Sequence, residues 1–207
     1  MAVDTKIVPL ESSQHAVASE VLARAFFDDP LTVWIMPDES RRLRGLEWFM
    51  GTGARFAMKY GHVDTTANDV RGAGCWLPPG ETDMGLLRML LGGMFMAPFK
   101  FGLSAFSRFM SAMDELEKLH KRDMPPDHWY LMILGVDPDH QGRGLGGAII
   151  APTLARADAD GLPCYLETMK ERNVTFYRKH GFEVVVDDHL PKAGPRYWTM
   201  RREPRSS

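Results

Sequence analysis

Apolar positions change their spacing several times along the chain, and each change marks an element. Val17, Val21, Leu22, Ala25 and Phe26 recur at helical spacing and predict a helix over 14–27. Ser12 or Ser13 is placed to cap it, and Pro30 lies just beyond its end. A second helix opens at Asp38 or Ser40, runs through Leu43, Leu46, Phe49, Met50 and Phe56, and stops near Gly61. Short apolar runs bounded by turn residues predict strands at 6–10, 62–66 and 70–77, the last two joined at Asn68-Asp69. Pro78-Pro79-Gly80 punctuates the chain. Residues 81–122 are helical by composition, as two or three helices broken near Gly92 and Pro98. After Pro125-Pro126 strands and helices alternate: strand 129–136, helix 145–160, strand 163–168, helix 172–180, then strands 182–186 and 196–201. This order predicts an α+β fold on a mixed sheet. It reads as one domain over 1–207, in three stretches of 1–80, 81–125 and 126–207.

Composition narrows the function classes. A chain of 207 residues can bury a sizeable core, and 25% charged residues is ordinary for a globular protein. The formal net charge of −2 gives no electrostatic reason for a nucleic-acid partner. The Leu-, Met- and Phe-rich run from Leu86 to Met110 is interrupted by Arg88, Lys100 and Arg108, by Gly92-Gly93 and by Pro98. A membrane span wants roughly twenty predominantly apolar residues, so none is expected. Cys75 and Cys164 each sit in a strand-like run and read as buried, reduced thiols. The first residues lack the apolar core of a signal peptide, so a cytoplasmic setting is expected. Seven histidines are scattered without metal-ligand spacing, and no metal site is expected.

The candidate chemistry lies in Val136-Asp-Pro-Asp-His-Gln141-Gly142-Arg143-Gly144-Leu145-Gly146-Gly147. Glycines leave backbone N–H groups unobstructed at the start of a helix, which makes an anion site. Gly142-Arg-Gly144-Leu-Gly146-Gly147 also fits the dinucleotide pattern G-x-G-x-x-G, with Glu167 about twenty residues on. Context argues against that reading. Asp137, Pro138 and Asp139 separate the glycines from the strand, and too little chain follows for more βα units.

Gln141-Gly-Arg-Gly144-Leu-Gly146 fits a different pattern, Gln/Arg-x-x-Gly-x-Gly/Ala, after a strand ending Val136-Asp-Pro138. Leu166-Glu167-Thr168, Arg172-Asn173, Phe176-Tyr177 and His180-Gly181-Phe182 follow in order. In these residues the chain resembles the GNAT acetyltransferase superfamily, over about 129–182. Gly135-Val136, Pro138 to Gly142 and Gly194-Pro195-Arg196 make the C-terminal half most similar to its puromycin N-acetyltransferase group. Residues 31–125, which would select the acceptor, match only loosely. The resemblance implies a GNAT fold: a mixed, mostly antiparallel twisted sheet of six to seven strands, flanked by helices, with a helical insertion between strands 3 and 4.

The same resemblance implies acetyl-CoA as co-substrate and acetyl transfer to a primary amine by direct attack on the thioester. Backbone amides of Gln141, Gly142, Arg143, Gly144, Leu145 and Gly146 would hold the pyrophosphate, with Arg143 adding charge or remaining a solvated loop residue. Main-chain groups at Leu134 and Val136 would hold the pantetheine arm. Asn173 either caps its helix, bonds that arm, or does both. Tyr177, four residues on, would protonate the departing thiolate. Glu167 would take the amine proton or serve as a structural carboxylate, with His140, Asp29 or Glu47 as fallbacks. Asp29 and Trp34, with Glu167, are candidates for the acceptor pocket, where carboxylates beside aromatics suit a cationic amine. The Met-rich stretch reads first as core packing, then as acceptor lid or dimer contact. A small-molecule amine is the expected partner, in a monomer or homodimer. A protein lysine or N-terminus as acceptor, or a catalytically silent acyl-CoA-binding module, are the rivals.

Overall fold

The computed structural model describes residues 6–83, 88 and 92–205. Its strands are β1 (Ile7–Pro9), β2 (His62–Thr66), β3 (Gly72–Leu77), β4 (Trp129–Val136), β5 (Cys164–Thr168), β6 (Glu183–His189) and β7 (Arg196–Arg202). They form one sheet in the order β1-β2-β3-β4-β5-β7-β6. All neighbours run antiparallel except β4 and β5. A parallel pair needs a crossover. Here it is α6 (Leu145–Asp160). The other helices are α1 (His15–Ala25), α2 (Pro30–Ile35), α3 (Glu39–Tyr60), α4 (Ala97–Phe101), α5 (Leu103–Asp123) and α7 (Glu171–Lys179). The expected α+β architecture is present, with helices between the third and fourth strands. Residues 84–87 and 89–91 of the predicted helical stretch lie outside the described residues.

The segment Gly72-Ala-Gly-Cys-Trp-Leu77 is buried throughout, and its alternation splits it between two faces. Ala73 and Cys75 join the core formed by α1 and α3, with Leu22, Leu46, Met50 and Ala54. Gly72 and Gly74 face α6, where an added Cβ would come within 2.9 and 2.8 Å of the Ile149 side chain. The missing side chains let α6 lie close on the sheet. Both cysteines are buried and unpaired, and burial pushes the Cys75 thiol up to about 12. Cys75 is an inert core residue.

Two helix starts differ from the expectation. A 3-10 turn over Ser12–Gln14, boxed by Glu11 and Gln14, precedes α1, so neither serine caps the α-helix itself. Pro30 begins a helix instead of merely following one. It sits at the first position of α2, and Asp29 Oδ1 accepts from the Leu31 amide at 3.0 Å. Six residues are too few to show a period. Buried Arg42 then donates to the carbonyls of Met36 (2.8 Å) and Pro37 (3.0 Å) just past the end of α2.

The Met-rich stretch packs as expected and also covers the sheet. Ala112, Leu116 and Leu119 of α5 join Leu190 and Tyr197 in one cluster. No helix among the described residues is long and apolar enough to cross a membrane.

The far end of α6 is tied to β7 by Arg202, which is 2% exposed and makes two bonds of 2.7 Å to Asp158. Removing one partner of a buried pair strands the other charge, at a cost of about 3 kcal/mol. Asp158→Ala is therefore expected to lower the unfolding free energy by about that much in urea titrations. A loss below about 1 kcal/mol would mean that the pair behaves as a surface contact.

Candidate active site

Strands β4 and β5 pair only at Trp129↔Cys164 and Tyr130↔Tyr165, then part. On its other edge β4 stays paired with β3, but the register shifts between Cys75↔Ile133 and Trp76↔Leu131, leaving Met132 as an extra residue. Such a bulge bends its strand. Beyond Tyr130, the β5-facing edge of β4 carries main-chain donors and acceptors without a strand partner. Unpaired backbone groups in a protein interior are costly unless something satisfies them. A cavity of about 190 Å³ fills the gap. Residues Tyr130 to Leu134 wall it on one side, and Glu167, Thr168, Asn173 and Tyr177 on the other. Phe109, Met113 and Leu116 of α5 cover it, and Phe26 and Asp29 approach from the α1–α2 junction.

The glycine turn continues from the end of β4. Gly142 and Gly144 have φ of 74° and 82°, and a Cβ at either would meet nothing within 4 Å. Backbone conformation, not space, selects glycine there. Gly144 is the N-cap of α6 and no side chain caps that end, so the first-turn N–H groups remain free to bind an anion. Gln141 Nε2 donates to the Val136 carbonyl at 2.9 Å and fixes the turn to the strand end. Buried Asp137 accepts from the Asp139 amide and pairs with Arg24. At Gly146 and Gly147 an added Cβ would come within 3.3 Å of Phe176 and 2.9 Å of His180, so these glycines bring α6 against α7. Arg143 is exposed, while Leu145 is buried and contributes packing from its side chain.

Four predicted side chains meet in the cavity: Asp29, Glu167, Asn173 and Tyr177. Asn173 is not the N-cap of α7, a position held by Lys170. Its Nδ2 donates to Thr168 Oγ1 at 3.0 Å, which leaves the amide oxygen available. Tyr177 lies one turn on, buried at 6% exposure among Phe176 and Phe182. Among the described residues no hydrogen bond engages its hydroxyl. Burial, then the charge of Asp29, pushes its phenol well above the ordinary range, so it stays protonated. Glu167 accepts from the Tyr130 hydroxyl at 2.8 Å. Burial raises its carboxyl to about 7, against the opposing pull of that hydrogen bond. It exchanges protons in the physiological range. Asp29 is also raised by burial, with Lys170 and Arg172 opposing.

Trp34 does not line the cavity; it packs between the α1–α3 core and the cluster under α5. His140 and Glu47 line a separate surface cleft beside Arg24 and Asp137. Among the described residues no group of three or more His, Cys, Asp or Glu is placed to hold a metal ion. Tyr130 is the participant that sequence reading missed. It sits in an unbroken apolar run, Trp129 to Leu134, where nothing separates a polar handle from a core aromatic.

Residues 110–184 match the family model described as Acetyltransferase (GNAT) domain. An uncharacterized N-acetyltransferase of Schizosaccharomyces pombe is 27% identical over 95% of this chain and 83% of its own length. A histone acetyltransferase and related acetyltransferase from Corynebacterium glutamicum has a TM-score of 0.69 at 20% identity, covering 98% of both chains. Arylalkylamine N-acetyltransferase 2 of Aedes aegypti has a TM-score of 0.62 at 17% identity, over 98% of this chain and 100% of its own. These two share the fold. Residues 110–184 are thus similar to a GNAT acetyltransferase domain, and by that likeness the chain is an enzyme of the acyltransferase class.

The Tyr130 hydroxyl favours the charged form of Glu167, so Tyr130→Phe is expected to move the Glu167 titration above its value of about 7. Carbon-13 NMR of labelled glutamate carboxyls reads this directly. A downward shift would show that burial does not dominate at this carboxyl.

Proposed function

We propose that the chain transfers an acetyl group from acetyl-CoA to the primary amine of a small molecule, by direct attack without an acylated enzyme. One observation carries the reading. Tyr177, a protonated phenol, and Glu167, a carboxyl of about 7, line one cavity between the parted strands, and β4, which walls it, leads into an uncapped glycine turn.

The residues fit the cofactor that the family uses. Left-handed glycines at 142 and 144 and the uncapped first turn of α6 from Leu145 suit a pyrophosphate, and exposed Arg143 can add charge. Main-chain groups from Leu134 to Val136 are the partners for the amides of an extended arm, with the Asn173 oxygen opposite. Acetyl-CoA supplies an activated carbonyl and a thiolate leaving group. Unpaired N–H groups of β4 polarise that carbonyl oxygen; a single donor so placed is worth roughly 2.7–4 kcal/mol. Glu167 as carboxylate takes the proton from the amine. Tyr177 O–H gives a proton to the sulfur.

Several observations favour a small acceptor. The cavity is covered by α5, which leaves little room for a folded protein surface. The resemblance to the puromycin N-acetyltransferase group points the same way, as do fold neighbours described as arylalkylamine and agmatine N-acetyltransferases.

Thiol release across a panel of amines and lysine peptides tests the reading. Turnover is expected on small amines. Acetyl-CoA binding without turnover on any amine would indicate a silent binding module, and turnover on peptides alone would make the acceptor a protein. The limiting rate is expected to rise with pH and level above about 7, as Glu167 loses its proton. Glu167→Gln should remove that limb and slow transfer on the order of 10²-fold or more. Tyr177→Phe should lower kcat with little change in acetyl-CoA affinity; an unchanged kcat would remove Tyr177 as the acid.

A further inference from the structure

Glu167 and Tyr130 form a wall shared by the cavity between the parted strands and a second chamber of about 400 Å³. That volume lies within the ~300–1,000 Å³ of small-molecule sites. Met113, Leu116, Met124, Pro125 and Pro126 give the chamber an apolar side. Its polar side includes His120 and His128, a pair with no part in the chemistry so far.

The two imidazoles meet Nε2 to Nε2 at 2.6 Å, with both residues under 10% exposed. Two lone pairs cannot face each other at that distance, so one proton lies between them. His128 Nδ1 is 2.6 Å from the Pro125 carbonyl, which can only accept. His128 therefore carries its proton on Nδ1, and its Nε2 is a lone pair. His120 must then donate through Nε2–H, and its own lone pair is left on Nδ1. Among the described residues nothing bonds to that nitrogen, and it is not one of the buried polar atoms without a partner. The ring is held by stacking on Tyr165, with centroids 4.4 Å apart and planes 15° apart, and by Tyr130 at 4.5 Å.

We propose that the second chamber receives the acceptor, an amphipathic primary amine, and that the His128–His120 pair fixes one imidazole lone pair to accept a hydrogen bond from the amine beside Glu167. The inference rests on the acetyl-transfer reading of the neighbouring cavity. The site presents acceptors, the His120 Nδ1 lone pair and the Glu167 carboxylate. An amine offers at least two N–H donors to meet them, whereas an alcohol offers one. The apolar side holds the body of the molecule.

The division of labour follows from the surroundings of His120. It faces Glu117 and Lys121 along α5, Asp83 across the chamber, Tyr130 on β4, Tyr165 and Glu167 on β5, and His128, beyond which lie Asp127 and Arg201. Burial, then the charges of His128 and Lys121, pushes its pKa down to about 3. It stays neutral and keeps its lone pair while Glu167 takes the ammonium proton. His120 thus binds the amine, and His128, which acts through it, is the positioning residue.

Two measurements test this. With phenethylamine as acceptor and acetyl-CoA saturating, His120→Phe should raise the amine KM at least tenfold, with kcat and the acetyl-CoA KM within about twofold. His128→Phe releases the tautomer, so the Nδ1–H and Nε2–H forms of His120 mix and the amine KM should rise, by less than in His120→Phe. Nitrogen-15 NMR of the wild-type rings should show His128 protonated on Nδ1 and His120 on Nε2, with no titration of His120 above pH 5, and phenethylamine should shift His120 Nδ1. An unchanged amine KM in folded His120→Phe, or His128 protonated on Nε2, would overturn the proposal. If wild type turns over no amine yet His120 Nδ1 responds to phenethylamine, the catalytic reading fails and the binding site stands. Turnover with no response at His120 defeats this inference alone.

Discussion

A β-strand half-released from its sheet has a problem that the rest of this structure is arranged around. From Leu131 onward the β5-facing edge of β4 carries polar backbone groups with no strand to satisfy them. The parting is built in. A bulge at Met132 bends β4, and β5, into which α6 leads, pairs with it over only two residues. Glycines at 72 and 74 let α6 lie close on the sheet, and glycines at 146 and 147 let α7 lie close on α6. In consequence α7 carries Asn173 and Tyr177 to the lip of the gap. The unsatisfied strand edge and the uncapped start of α6 are two sets of main-chain groups joined by an internally bonded turn, suited to an extended ligand with a phosphate at one end.

Burial then sorts the titratable groups by function. The Tyr177 phenol and the Cys75 and Cys164 thiols are all pushed up, so the first remains an acid and the other two remain inert. Glu167 feels the same desolvation, but the Tyr130 hydrogen bond holds it at about 7.

The sheet half of the molecule was readable because its signals are local. Strand β4 and helix α6 have the boundaries expected, since an apolar run and a glycine turn punctuate them. Helix α2 was hidden because six residues cannot show a period, and the Asp29-Pro30 pair that starts it reads equally well as an ending. In the site, Glu167, Asn173 and Tyr177 were legible through the resemblance carried by the glycine turn and the runs behind it. Tyr130 and the His120–His128 pair were not. Their roles arise from contacts between α5, the 125–128 turn and two strands, and no sequence period encodes such a meeting. Trp34 shows the converse: an aromatic beside carboxylates in sequence turned its side chain into the core.

The central claim is that the unpaired edge of β4 is satisfied by the acetyl donor. Amide hydrogen exchange, measured with and without acetyl-CoA, tests it most directly. The account predicts slowed exchange at amides within Leu131–Val136 and Gln141–Gly146, with β1, β2 and β6 unchanged. Protection confined to the glycine turn, with the β4 amides exchanging as fast as before, would contradict it.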